Sequence, residues 1–243
     1  DPMLSHNREA IRKNLVQRAE ILHLIRGFFR EQGFLDVETP LRIPAPLPEA
    51  HIEAIPSDGW VLQPSPEICM KMLLAAGGEK IFQICKCFRK AERGRRHLPE
   101  MTMLEWYAAG QTYTDLMACC EALIRRIAGG LGIGGSLSYQ GLTIDLSAPW
   151  QRLTVSDAFR RFASVSMEQA LVQGRFDEIM GLEIEPELGK GRPVFLVDYP
   201  AEKASLARLR PGDPAVAERF ELYIGGLELC NGFSELNDAA EQR

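Results

Sequence analysis

Ile11, Leu15, Leu22, Ile25 and Phe29 recur at spacings of four, seven, three and four, which sets them on one face of an amphipathic helix from about Asn7 to Gln32. Gly33 ends that helix, and Phe34 to Thr39 reads as a short strand stopped by Pro40. The proline-rich stretch from Pro40 to Pro56 reads as a loop. Pro66 opens a second helix, Glu67 to about Ala76, broken at Gly77-Gly78. From Ile81 to Arg89 the period changes to two. A basic loop, Lys90 to Pro99, leads into a second alternating run from Met101 to Tyr107, so the pair predicts an antiparallel hairpin.

The remainder mixes the two periods. Thr114 to Leu131 predicts a helix capped by Thr112 or Thr114, and Leu137 to Leu146 a hairpin. Thr154 to about Met180 predicts largely helical structure, with Thr154 and Ser156 as caps and Gly174 as an interruption. Pro193 to Asp198 reads as a short buried strand. Glu218–Tyr223 and Leu227–Phe233 flank Gly225-Gly226, a two-residue hairpin turn. Antiparallel pairs interspersed with helices, without βαβ regularity, make the class α+β.

Composition narrows the chemistry. The 243 residues are 46% hydrophobic and 25% charged, enough to bury a core unaided, and no apolar run reaches the length of a bilayer span. The charged N-terminus is unlike a secretory signal, so a cytoplasmic protein is expected. The six cysteines form no CxxC pair and the four histidines are scattered, so buried free thiols are expected rather than a zinc site. A net charge of −5 argues against a dedicated nucleic-acid module, although Lys86, Arg89, Lys90, Arg93, Arg95 and Arg96 form a local basic patch.

The last hairpin carries the most chemistry. A turn at Gly225-Gly226 pairs Ile224 with Leu227, Tyr223 with Glu228, Leu222 with Leu229 and Glu221 with Cys230. Glu221 and Glu228 then share a face, either as two solvated glutamates or as carboxylates bridged by Mg²⁺. Asn231, Phe233 and Glu235 fall on the opposite parity. For Asn231 and Glu235 to join Glu228, the strand needs a bulge or break between Leu229 and Gly232. In the first hairpin, Arg89 ends one strand while Glu105 and Tyr107 project to one face of its partner. That is a fork for a carboxylate and a phosphate beside a carboxylate–hydroxyl pair suited to an ammonium; an amphipathic hairpin with a surface ion pair would show the same spacing.

Phe88-Arg89 with Arg96-His97-Leu98-Pro99-Glu100-Met101-Thr102-Met103-Leu104-Glu105-Trp106-Tyr107 resembles motif 2 of class II aminoacyl-tRNA synthetases. Gly33 to Pro40 resembles motif 1, the dimer-forming segment. Glu218 to Gly226, with Asn231-Gly232-Phe233-Ser234-Glu235-Leu236-Asn237-Asp238, resembles the lysine- and ATP-binding stretch of the lysyl-tRNA synthetase family. The resemblance covers nearly the whole chain after its first ten or so residues. It implies a class II catalytic core, an antiparallel sheet flanked by helices, that activates lysine or β-lysine with ATP and Mg²⁺.

By that resemblance Arg89 contacts the α-phosphate and the lysine carboxylate, and Glu67 and Glu105 hold the α-ammonium. Glu235 and Tyr107 receive the ε-ammonium in a pocket lined by Asn231 and Phe233. Glu221 and Glu228 bind Mg²⁺, and His97 and Met101 serve the nucleotide. Ala91 stands where the motif carries Glu, and Met101 where a Phe stacks on adenine, so adenine would pack more loosely. The expectation is that side chains from both hairpins converge on one substrate.

Motif 1 begins at residue 33 and the segment after motif 2 is compact. Both features, with Tyr199 to Ala207, are similar to the family's short branch, which attaches (R)-β-lysine to a lysine of elongation factor P; Ser234 and Asn237 are closer to the tRNA-charging branch. The acceptor implied is therefore elongation factor P, with tRNA as the alternative and a homodimer as the assembly. A single catalytic domain is expected, without an OB-fold anticodon domain and truncated before motif 3. A non-catalytic lysine-binding paralogue is the reading from a different class.

Overall fold

The structure, a computed structural model, describes residues 2–45, 52–94 and 97–240. Part of the proline-rich stretch, residues 46–51, and Arg95 and Arg96 of the basic loop lie outside the described residues. The chain separates into two compact units: Leu22–Gly110, and the segment up to Ile21 together with everything from Gln111 on. Helix α1 (Pro2–Glu31) contributes to both. Among the described residues no helix is long and apolar enough to cross a membrane.

In the Leu22–Gly110 unit, α1 is followed by β1 (Leu35–Asp36), β2 (Arg42–Ile43), β3 (Ile55–Ser57), β4 (Trp60–Leu62), α2 (Glu67–Ala75), β5 (Lys80–Phe88) and β6 (Glu100–Ala108). The β5–β6 hairpin runs in unbroken register from Lys80↔Ala108 to Phe88↔Glu100. Its alternation sorts side chains onto two faces. Phe82 and Trp106 lie on one, where Phe29 stacks on Phe82 at 4.8 Å and lies 5.3 Å from the Trp106 ring. Those aromatic contacts bury the last turns of α1, with Ile25, Phe28 and Phe29 all in the core. Gln83, Cys85, Cys87, Met101, Met103, Glu105 and Tyr107 face the other way.

The predicted apolar face of α1 is covered only in part: Ile25 and Phe29 are buried, whereas Ile11 and Leu15 are 52% and 62% exposed. The proline-rich stretch is not entirely a loop, because β2, β4 and β3 form a small antiparallel sheet. Pro56 is tolerated in it because β3 is an edge strand. β1 pairs parallel to β5, an arrangement that hairpin reasoning did not anticipate.

The other unit contains α3 (Tyr113–Gly130), β7 (Ser136–Tyr139), β8 (Leu142–Asp145), β9 (Gln151–Thr154), α4 (Val155–Phe162), α5 (Met167–Val172), α6 (Phe176–Ile179), β10 (Val194–Pro200), β11 (Leu209–Arg210), β12 (Asp213–Ile224) and β13 (Leu227–Phe233). Thr112 begins α3, its backbone N–H donating to Asp115 Oδ2 at 2.8 Å. The helix expected to continue from Thr154 to Met180 is three helices. Thr154 caps α4 as predicted, but Ala163 turns extended and Ser166 caps α5 by accepting the Gln169 N–H. Gly174, at φ +64°, then ends α5.

The sheet of this unit has the order β11-β12-β10-β9, with β13 also on β12. β9 and β10 are parallel and the other pairs antiparallel. β12 is long enough for β11 and β13 to share one of its edges end to end, while β10 takes the other. Phe159, Phe176, Ile179 and Ile184 pack with Val194, Leu196, Ala217 and Tyr223 as one core. Gly225 and Gly226 both have positive φ, 61° and 74°, the two-residue turn the sequence predicts.

Candidate functional site

Within the Leu22–Gly110 unit, the face of β5–β6 away from the aromatic core holds a carboxylate at the centre of a hydroxyl cage. Glu105 Oε1 accepts from the Tyr107 hydroxyl at 2.6 Å, and Oε2 accepts from Ser65 Oγ at 3.0 Å. Ser65 Oγ in turn accepts the Glu67 N–H at 3.1 Å, which joins the start of α2 to the hairpin. Glu67 is 9% exposed and its Oε1 lies 2.6 Å from Lys71 Nζ. Burial, above all, pushes the Glu105 carboxyl up to about 7; the Tyr107 and Ser65 hydrogen bonds oppose that rise, while the charges of Glu67 and Cys85 add to it. With its midpoint near 7 the carboxyl is part protonated at neutral pH, and a cation beside it would favour the ionised form.

Arg89 lies just beyond β5. Its Nε donates to the Pro64 carbonyl at 3.2 Å and its Nη1 to Glu92 Oε1 at 3.3 Å, while its backbone N–H is tied to Pro99 O at 2.9 Å. The guanidinium is thereby oriented by the chain at one side and held by an ion pair at the other. His97 is exposed, and with Ala91, Glu92 and Arg93 it lines an open hollow of about 270 Å³. Met101 is half-buried and pairs with Cys87, on the same face as Glu105.

In the other unit, the β12–β13 hairpin contains the irregularity that the site needs. Ile224↔Leu227 and Tyr223↔Glu228 pair as expected, but the next pairs are Leu222↔Cys230 and Glu221↔Asn231, so Leu229 is an extra residue. The expected pairs Leu222–Leu229 and Glu221–Cys230 are thus each displaced by one. The consequence is the parity change: Arg219, Glu221 and Tyr223 now share a face with Glu228, Asn231 and Phe233. Gly232 itself stays in register opposite Phe220; its role is close approach, since a Cβ there would lie 2.6 Å from the Phe220 ring.

Glu221 and Glu228 are not equivalent, which corrects the picture of two solvated glutamates: Glu228 is exposed, but Glu221 is only 8% exposed. Arg219 Nη2 donates to Glu221 Oε1 at 2.7 Å, and the Tyr223 hydroxyl donates to Oε2 at 2.7 Å. Arg219 also donates to the Lys203 carbonyl at 2.7 Å, contacts Asn231 Oδ1 at 3.4 Å and lies 4.4 Å from the centre of the Tyr199 ring. Burial first, and then the Glu221 and Glu228 charges, push the Tyr223 hydroxyl well above its usual range, so it remains a donor. Glu235 follows β13 and bridges to Ala207.

Sequence reasoning missed Ser65, Arg219 and Tyr223. Arg219 and Tyr223 flank Glu221 at two-residue spacing, a same-face signal that was available. Nothing local identified Ser65, whose partner Glu105 is forty residues distant.

Each unit thus carries a largely antiparallel sheet, one with an arginine at the end of a hairpin strand and both with carboxylates on their β-ribbons. The chain belongs to the family of class II tRNA synthetases (D, K and N), whose model matches residues 1–243. Relatives of two kinds are among those it matches. It is 38% identical over 257 residues to the lysine–tRNA ligase of Thiobacillus denitrificans, covering 95% of this chain and 51% of that protein. It is 40% identical over 250 residues to the elongation factor P–(R)-β-lysine ligase of Haemophilus influenzae, covering 95% of this chain and 76% of that protein. The corresponding ligase of Edwardsiella ictaluri is 39% identical over 246 residues, with 95% and 75% covered. The chain thus spans about half the length of the tRNA ligase it matches and about three quarters of the elongation factor P ligases.

Proposed function

We propose that this chain activates lysine or (R)-β-lysine with ATP and transfers the aminoacyl group to a lysine side chain of elongation factor P. The observation that carries the reading is the Ser65–Glu105–Tyr107 cage beside Glu67: two carboxylates, one close to neutral, form an ammonium receptor whose charge responds to the ligand. The relatives of which this chain spans three quarters are elongation factor P–(R)-β-lysine ligases, and the stretch Tyr199 to Ala207 and the net charge of −5 favour a protein acceptor.

In the proposed reaction the amino-acid carboxylate attacks the α-phosphorus of ATP, a P–O bond forms and pyrophosphate leaves. The acceptor amine then attacks the adenylate carbonyl, an amide bond forms, AMP leaves and the amine sheds a proton. Little acid–base help is needed, so catalysis is positioning plus charge stabilisation. Arg89 binds the carboxylate and the α-phosphate, exchanging its contact with Glu92 for the substrate's oxygens. On the Leu22–Gly110 unit Glu67, Glu105 and Tyr107 hold an ammonium group, and on the other unit Glu235, Asn231 and Phe233 are the residues to which the family resemblance gives the distal ammonium. His97 and Met101 border the nucleotide.

Mg²⁺ suits the donor set on the second hairpin. Such an ion takes one or two carboxylates and fills its other positions with water and phosphate. Glu228 offers an exposed carboxylate, and Glu221, although paired with Arg219 and Tyr223, retains further lone pairs on both oxygens. When bound, the ion neutralises phosphate charge.

A homodimer is part of the proposal, supported by motif 1 and by the exposed Ile11, Leu15 and Val16 on α1. A tRNA acceptor is the second reading; Ser234 and Asn237 favour it. Lysine-dependent ATP–pyrophosphate exchange, run separately with α-lysine and (R)-β-lysine, tests activation, and label transfer to elongation factor P or to tRNA names the acceptor. Exchange with neither amino acid would leave the lysine-binding, non-catalytic paralogue ahead.

A further inference from the structure

Asp198 adopts φ +64°, a left-handed conformation that non-glycine residues rarely take, aspartate among the few that do. It does so at the bulge in β10, where the register with β12 slips between Val197 and Tyr199. Such strain persists only where the surroundings over-determine it, and it concentrates at functional positions. At Asp198 the surroundings are specific. The carboxylate pairs with Arg210 Nη2 and accepts from the Tyr113 hydroxyl at 3.2 Å, and Arg210 Nη2 also donates to that hydroxyl at 3.2 Å.

Tyr113 carries the connection onward. Its backbone N–H donates to Ser234 Oγ at 2.9 Å, and Ser234 is only 4% exposed. Ser234 is clasped on its main chain as well, its N–H donating to Glu218 O at 3.0 Å and its carbonyl accepting from Arg208 N–H at 2.8 Å. Arg208 and Glu218 are themselves joined by a 2.5 Å ion pair. Ser234 stands between Phe233 and Glu235, two of the residues to which the proposed function gives the distal ammonium. The first residue of α3, the β10 bulge and β11 therefore all converge on one corner of chain beyond β13.

We propose that Asp198, Tyr113 and Arg210 form a positioning device that holds the Phe233–Ser234–Glu235 corner, and through it sets how the distal amine of the substrate is measured. None of the three touches substrate in this account; they act through Ser234. The inference rests on the proposed activation of lysine.

The experiment compares wild type, D198G, D198N, Y113F and the double variant D198G/Y113F in amino-acid-dependent ATP–pyrophosphate exchange, with lysine (α or β, whichever the wild type prefers) and with the analogue one methylene shorter. D198G is chosen because glycine accepts the left-handed backbone, so its Tm should stay near that of the wild type. D198G and Y113F should each raise KM for lysine about tenfold with kcat changed less than about threefold, and should narrow the preference for lysine over the shorter analogue. D198N keeps an acceptor for Tyr113 and should recover part of the loss. The double variant should be no worse than either single, because both act along one chain of contacts. Unchanged KM, an unchanged preference, additive losses in the double variant, or KM tracking Tm across the set would each overturn the positioning role. Absence of lysine-dependent exchange in the wild type would instead overturn the proposed function.

Discussion

Glu105 yields a prediction with an unusual sign. Its carboxyl sits at about 7 rather than the ordinary 4.5, chiefly because it is buried, and the proposed ligand is an ammonium that binds only the ionised form well. From pH 6 to pH 8 the ionised fraction should climb from roughly one tenth to roughly nine tenths, so KM for lysine should fall about tenfold over that range. Binding near pH 6 should release close to one proton per site, measurable by calorimetry in buffers of different ionisation enthalpy. E105Q should bind lysine weakly with no such slope. Y107F removes the hydrogen bond that most favours the carboxylate, so its midpoint should shift to higher pH. Stability should move the opposite way to binding. Because the folded-state value is raised, the unfolded chain loses its proton first, and stability should decline as pH rises from about 4.5 to about 7, by up to on the order of 3 kcal/mol. Thermal melts at pH 8 should therefore find E105Q more stable than wild type. A tenfold KM slope that survives in E105Q, or a wild-type KM flat from pH 6 to pH 8, would refute the assignment of this carboxylate to the amine.

Three further outcomes follow from packing and pairing. G232A places a Cβ 2.6 Å from the Phe220 ring and should cost about 1–3 kcal/mol, read as a lower Tm, with partial recovery when F220L makes room. G189A should be more damaging, because its new Cβ meets the Tyr223 carbonyl oxygen at 2.5 Å with φ at +73°; little folded protein by circular dichroism is expected. E221Q leaves Arg219 without its anionic partner in a largely buried setting and should cost about 3–5 kcal/mol in urea denaturation, whereas the double variant R219M/E221M should recover much of it.

What could be read in advance followed local rules. The β5–β6 and β12–β13 hairpins were legible because alternation and a Gly225-Gly226 turn are written in adjacent residues. The need for an irregularity between Leu229 and Gly232 was legible as well, since Asn231 and Glu235 had to change parity to join Glu228. That Leu229 rather than Gly232 is the extra residue was not, because the choice depends on Phe220 lying against Gly232 from the neighbouring strand. The parallel pairings of β1 with β5 and β9 with β10 rest on partners distant in sequence, whereas the Asp58-Gly59 turn between β3 and β4 and the Ser166–Gln169 capping box at the start of α5 were local signals that went unread.

The same distinction explains the unequal glutamates. Strand parity correctly placed Glu221 and Glu228 on one face, but parity says nothing about depth, and depth decides the chemistry. Glu221 shares its face with Leu196 across the strand and with Tyr223, in the core beneath α4 to α6, so burial without a cation would be prohibitive. Arg219, two residues before it, is therefore part of the site's electrostatics and not an incidental surface charge. Glu228, beyond the bulge and exposed, has no such demand. A ligand cation arriving at this hairpin would meet one buried carboxylate paired with Arg219 and one exposed carboxylate, so E228Q should weaken Mg²⁺-dependent nucleotide binding with less loss of Tm than E221Q, which should lower both. Equal losses of stability in the two variants would mean that the depth difference carries no energetic weight.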